Sequence, residues 1–163
     1  MRKYTILAVL IGILTPAASQ AEDIDFATQI YPFVKSGCIK CHRPPYEDER
    51  GRTRKPKAGI ILATKEGLTD EYELDSGETK QLIIAGKPEE SRMLEVTRLP
   101  IGDDFHFPPE GKAPQWTEAE KDLFEKWIAA GADFGDWEAD PAPNDGLEWD
   151  GEEKEPGTVE TAE

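Results

Sequence analysis

Apolar residues fall on a helical period at two places in the chain. Phe26, Ile30, Phe33 and Val34 stand at i, i+4, i+7 and i+8, the stripe that one face of a helix over 25–35 would bury. Asp25 is placed to cap this helix, Pro32 to kink or restart it, and Gly37 to end it. The second pattern is stronger. Thr117-Glu118-Ala119-Glu120 is a capping box, Leu123, Phe124, Trp127 and Ile128 make the buried stripe, and Gly131 supplies the left-handed stop. A further helix is predicted to start at Gly86-Lys87-Pro88-Glu89-Glu90, with Pro88 at the first helical position and two acids in the first turn. It carries Met93, Val96 and Thr97 on one side. The runs 59–62 and 82–84 are short and β-prone, and serve either as strands or as extended segments lining a core. Residues 43–57, with Pro44, Pro45, Gly51 and Pro56, read as a loop. No internal repeat is visible.

The two ends differ from the middle. Residues 1–21 read as a secretory signal peptide: Arg2 and Lys3 start it, Ile6 to Leu14 form the apolar stretch, and Ser19-Gln20-Ala21 is a small-x-small cleavage site. The apolar run is short for a bilayer span and no stop-transfer segment follows, so the expected product is exported, periplasmic in a double-membraned cell, and not integral to the membrane. Residues 22–135 are expected to form one domain with a modest core. From 136 to 163 there are eleven acids and one base, Lys154, with three prolines, the composition of a disordered tail. Trp137 and Trp149 are unusual there.

Charge narrows the partners. The chain carries −15 formally, and −17 once residues 1–21 take Arg2 and Lys3 away. Phosphate-rich nucleic acid is repelled by such a surface, whereas a partner with a basic docking surface would be steered toward it. The exception is a basic cluster in the 43–57 loop, Arg50, Arg52, Arg54, Lys55 and Lys57. It reads as a solvated loop paired with nearby acids, as a docking patch, or as a counter-charge for carboxylates of a cofactor.

The candidate chemistry sits at Cys38-Ile39-Lys40-Cys41-His42, a C-x-x-C-H run holding the only two cysteines. Two thiols three positions apart can form thioethers with the two vinyl groups of a porphyrin, and the following histidine can bind its iron. A thioredoxin-like redox pair wants a βαβ setting that the pattern lacks. Zinc wants further spaced ligands, and His42 and His106 are the only histidines. A short disulfide is the remaining alternative. The motif points to one covalent haem c with Cys38 and Cys41 as anchors and His42 as proximal ligand. No Ser/His/Asp set, P-loop or nucleotide-binding motif accompanies it, so an electron-transfer protein is expected rather than an enzyme.

The order of motifs resembles the planctomycete-type cytochrome c domain, found in secreted planctomycete and verrucomicrobial proteins. The residues that carry the likeness are Cys38 to His42, the run from Lys57 to Gly67, Ala85-Gly86-Lys87-Pro88-Glu89-Glu90-Ser91, Pro108-Pro109-x-Gly111-Lys112, and Trp127-Ile128-x-x-Gly131-Ala132. It covers roughly 24–135. It implies a mostly α, cytochrome c-like fold in which the N- and C-terminal helices pack together while loops wrap one haem. It also implies a methionine before Pro108-Pro109 as distal iron ligand, and this chain has Phe107 there. Three solutions follow: His106 binds the iron, Phe107 caps an open five-coordinate iron, or Met93 reaches in. The first and third give a carrier of single electrons. The second gives a gas-binding, sensing or peroxidase-like protein, and a haem-bearing accessory module is a further alternative. Phe26, Phe33, Phe124 and Trp127 are expected in the haem shell or in the helix–helix core beside it.

Overall fold

The computed structural model describes residues 23–74 and 76–152; residues 1–21, read as a signal peptide, lie outside them, as does the end of the tail. It is a small assembly of helices with two two-stranded antiparallel ladders, β1 (Tyr46–Glu47) with β2 (Thr53–Arg54), and β3 (Glu71–Glu73) with β4 (Thr79–Gln81). The first ladder lies within residues 43–57, read from the sequence as a loop, and the second lies between the β-prone runs 59–62 and 82–84, which are themselves outside the paired strands. Ile60 to Leu62 follow a 3-10 turn, Lys57–Gly59, while Leu82 and Ile83 leave β4 and are buried.

The N-terminal helix begins as expected. Asp25 accepts from the Thr28 amide at 2.8 Å, and the bond from the Thr28 hydroxyl, then this one, hold its carboxyl below the ordinary value. Four turns then run on without a break: wide Phe26–Ile30, α-helical Tyr31–Val34, wide Lys35–Ile39 and α-helical Lys40–His42. Pro32 accounts for the first widening. Its ring has no N–H and crowds the carbonyl four residues back, and the Tyr31 amide reaches past that level to the Phe26 carbonyl, a π-type bond.

Gly37 does not end this helix, contrary to the sequence expectation. A Cβ built there would lie 2.7 Å from Trp116 Nε1 and 3.0 Å from Pro108 Cγ. Its role is close approach: the indole and the proline ring press on the helix where a side chain would stand, and Trp116 Nε1 donates to the Phe33 carbonyl at 3.0 Å.

The C-terminal helix, Glu118–Ala129, has the capping box in full. Glu120 N donates to Thr117 Oγ1 at 3.2 Å, and Thr117 N to Glu120 Oε2 at 2.7 Å. Its stop is at Gly131, where φ is +115° and the Ala132 amide turns back to the Trp127 carbonyl, the six-to-one bond of a Schellman ending. Phe124, Trp127 and Ile128 are buried, as are Phe26, Ile30, Phe33 and Val34 opposite. The two helices meet through rings, Phe26 on Trp127 at 5.0 Å and Phe33 on Phe124 at 6.4 Å, so the four aromatics assigned to shell or core belong to the core. The third helix, Arg92–Arg98, follows a 3-10 turn at Pro88–Glu90, and buries Met93 and Thr97 together with Leu94.

The largest difference from expectation is the acidic segment after 135. From Asp136 to Leu147 it is a strap laid across the N-terminal helix. Ala139 bridges Thr64, and Glu138 and Asp140 exchange backbone bonds with Lys65 and Ala63. Trp137 packs at 4.7 Å on Phe26 and 4.8 Å on Tyr31. Asp140 takes bonds from Lys35 Nζ and the Tyr31 hydroxyl, both at 2.9 Å. Charge composition predicted disorder because it ignores that one packed tryptophan, Trp137, and one buried carboxylate, Asp140, can outweigh a run of solvated acids.

Burial pushes the Asp140 carboxyl up, but Lys35, the Ala142 amide and the Tyr31 hydroxyl together outweigh it, and the net shift is downward. The folded value lies below the unfolded one, so the strap's stabilisation is present above about pH 4 and is lost as pH falls through the folded value. Acid titration of tryptophan fluorescence is expected to show the strap lifting below about pH 4 in the parent, with Asp140→Asn already partly lifted at pH 7. A variant indistinguishable from the parent at both ends refutes this.

Candidate functional site

Cys38, Cys41 and His42 occupy the last two turns of the N-terminal helix. Spacing of three puts both thiols on one side of it. Cys38 is half-buried against the core, Cys41 is exposed, and both are free. Burial, then the neighbouring Cys41, push the Cys38 thiol up to about 12.

His42 is half-buried and held from the segment 60–62. Its Nδ1 lies 3.3 Å from the Ile60 carbonyl oxygen, and its own carbonyl accepts from the Leu62 amide at 2.7 Å. A carbonyl only accepts, so the ring proton sits on Nδ1 and Nε2 keeps its lone pair. Burial, opposed by bonds to the Ile60 and Lys57 carbonyls, holds the ring below its ordinary pKa, neutral and able to ligate. Sequence reasoning missed the Ile60 carbonyl, since a backbone acceptor leaves no mark in residue type. What positions it is legible only in three dimensions. Ala58 and Gly59 take left-handed φ of 51° and 74°, turning the chain back toward the helix, and Gly67 lies directly under the Ile61 carbonyl.

The loop from Leu99 to Trp116 comes to the same helix. Pro108 is fully buried against Gly37, next to Cys38. Phe107 is 39% exposed, and Ile101 and Phe105 are more so. His106, expected as an iron ligand, is instead buried with both ring nitrogens engaged: Nδ1 at 2.8 Å from the Leu99 carbonyl and Nε2 at 2.6 Å from Gln115 Oε1. Gln115 in turn donates to the Pro108 carbonyl. The histidine staples its own loop, and the sequence expectation of a ligand at His106 finds no free nitrogen. Met93 is buried in the core, 4% exposed, on the helix where its periodicity placed it.

Of the basic cluster, Arg52 and Arg54 pair with Asp48 at 2.8 Å across the β1–β2 hairpin. Amides and guanidinium groups of this hairpin, those of Arg52 foremost, bring the Asp48 carboxyl down to about 2. Beside them a cleft of ≈ 560 Å³ opens at Cys41, walled by Lys40, Arg43, Tyr46, Asp48 and the stretch from Thr53 to Lys57.

The donor set can be weighed against each candidate chemistry. Thiol–disulfide exchange wants a lowered thiol pKa, and Cys38 is raised. Among the described residues no three His, Cys, Asp or Glu side chains converge as a metal cage, so a tetrahedral zinc site lacks its donors. A porphyrin needs two thiols on one helix side and one oriented imidazole, and these residues fit it. His42 Nε2 would be the atom to hold its iron, with Nδ1 tied to the Ile60 carbonyl in the usual manner of ligating histidines. No family model matches the chain, no curated protein matches it, and no solved structure matches it.

Proposed function

We propose that the chain is an exported monohaem c-type cytochrome of cytochrome c-like fold. Cys38 and Cys41 would carry the thioether bonds and His42 the iron. The observation that supports this most is the pair of bonds joining His42 to Ile60 and Leu62, which fixes the ring's tautomer and aim beside two free thiols. When bound, the haem supplies one-electron chemistry between ferric and ferrous iron. The chain's own part is to hold the imidazole and keep its proton on Nδ1. Its partner would be another redox protein. Among the described residues no helix is long and apolar enough to cross a membrane.

The test is the full chain made with haem-maturation machinery. Mass spectrometry is expected to show one covalent haem, absent from the Cys38→Ala/Cys41→Ala variant. An unmodified mass in well-matured material refutes the proposal.

A second reading is favoured by His106 and Met93. With both histidine nitrogens bonded elsewhere and the thioether sulfur in the core, neither usual side chain is free for the sixth iron position, which leaves it to water or an external ligand. The same sample tests this: the ferric form is expected to be high-spin by electron paramagnetic resonance, and the reduced form to take up carbon monoxide. A low-spin ferric spectrum that His106→Gln abolishes would return the ligand role to His106.

A further inference from the structure

On a chain of formal charge −15, the cleft beside Cys41 is an island of opposite sign. Its wall carries Lys40, Arg43, Arg54, Lys55 and Lys57 against one carboxylate, Asp48. That carboxylate is already held by Arg52 and Arg54. Lys40, Lys55 and Lys57 have no ion pair among the described residues, although 34 acids were available to the sequence. Clustered unpaired ammonium groups repel one another, and an anion among them relieves this.

A second, independent observation lies on the same wall. Arg43 Nε is buried and has no hydrogen-bond partner, the single such side-chain atom among the described residues. The rest of this guanidinium is fixed: Nη1 donates to Asn144 Oδ1 at 3.0 Å, and Cζ stacks 3.6 Å over the Tyr46 ring. An immobilised group with one unused donor is the kind of exception that a missing acceptor explains.

We infer that the cleft binds a multiply charged oxyanion, a carboxylate or phosphate compound, between Lys55, Lys57 and Arg43. Its ≈ 560 Å³ is within the roughly 300–1,000 Å³ of small-molecule sites. The ligand is not the haem's own carboxylates. Those lie on the porphyrin edge away from the vinyl groups, and a thioether at Cys41 would put the vinyl edge here. A haem attached at Cys41 would border this cleft, so binding is tested on the chain with and without haem, and loss of binding only in the haem-loaded chain separates the two readings. Repulsion from the distant acids is screened beyond about 8 Å at physiological ionic strength, so the local cations govern contact, and added salt weakens binding.

Calorimetric titration of the full chain with citrate, and separately with pyrophosphate, tests the inference at constant ionic strength set with potassium chloride. One saturable site is expected for at least one of the two. Citrate alone assigns carboxylate ligands, and pyrophosphate alone assigns phosphates. The variant Lys55→Gln/Lys57→Gln, altered only at exposed side chains, is expected to bind tenfold or more weakly with an unchanged Tm. Arg43→Lys, which keeps the charge and removes Nε, is expected to weaken binding as well. Absence of saturable heat with both anions overturns the inference, as does equal binding by the double variant. Saturable binding of polyglutamate alone also overturns it, and assigns the surface to an acidic polypeptide.

Discussion

Gly67→Ala is expected to cost about 3 kcal/mol, the upper end of the usual range for over-packing. The added methyl group lands on the Ile61 carbonyl oxygen, and a backbone atom cannot rotate aside as a side chain would. Relief has to come from moving the 60–62 segment away from the short helix Lys65–Thr69, which Thr64 caps through the Gly67 amide at 3.1 Å. That segment holds His42 through Ile60 and Leu62. A substitution remote from the thiols should therefore lower Tm and also disturb the imidazole. Thermal denaturation reads the first, and the ring's nitrogen chemical shifts read the second. A variant with both unchanged would show that the segment has slack which the geometry denies it.

Trp127→Ala is expected to be of similar or greater weight, about 3–5 kcal/mol. The indole is 2% exposed. It contacts Phe26 and Phe134 at 5.0 Å and Phe124 at 5.7 Å, between ring centroids, and its Nε1 donates to the Asp133 carbonyl at 2.8 Å. Removal opens a large cavity between the N- and C-terminal helices and strands that carbonyl. Trp127→Phe refills most of the volume and gives up only the bond, so roughly half the loss should return. Urea denaturation of the three proteins measures both. Equal midpoints for Trp127→Ala and the parent would mean that the two helices are not held by this cluster.

Much of this architecture can be read along the chain. Asp25, Thr117, Glu120 and Gly131 act through the backbone of their own helix, within a few residues, and each does what its type and spacing indicate. The stripes of the two terminal helices are legible for the same reason. Cys38, Cys41 and His42 stand out in the sequence because the chemistry proposed for them is a requirement on spacing. What escapes is whatever depends on a distant neighbour. Gly37 looks like a helix stop, since nothing nearby shows that Trp116 and Pro108 will press on it. His106 looks like a ligand until Leu99 and Gln115 take its nitrogens. Asp140 looks like one more acid in a solvated run until Lys35 and Tyr31 arrive from more than a hundred positions upstream.

That separation sets an order of events. A polypeptide made from its N-terminus presents Cys38 and Cys41 long before residues 138–144, whose anchors at Lys35 and Arg43 flank the cysteine turn on either side. The closing buckle emerges roughly a hundred residues after them. Any enzyme that must work on those sulfurs while the turn is still unbelted has its opportunity in that interval, and shortening or circularly rearranging the chain so that the buckle came first would take the opportunity away.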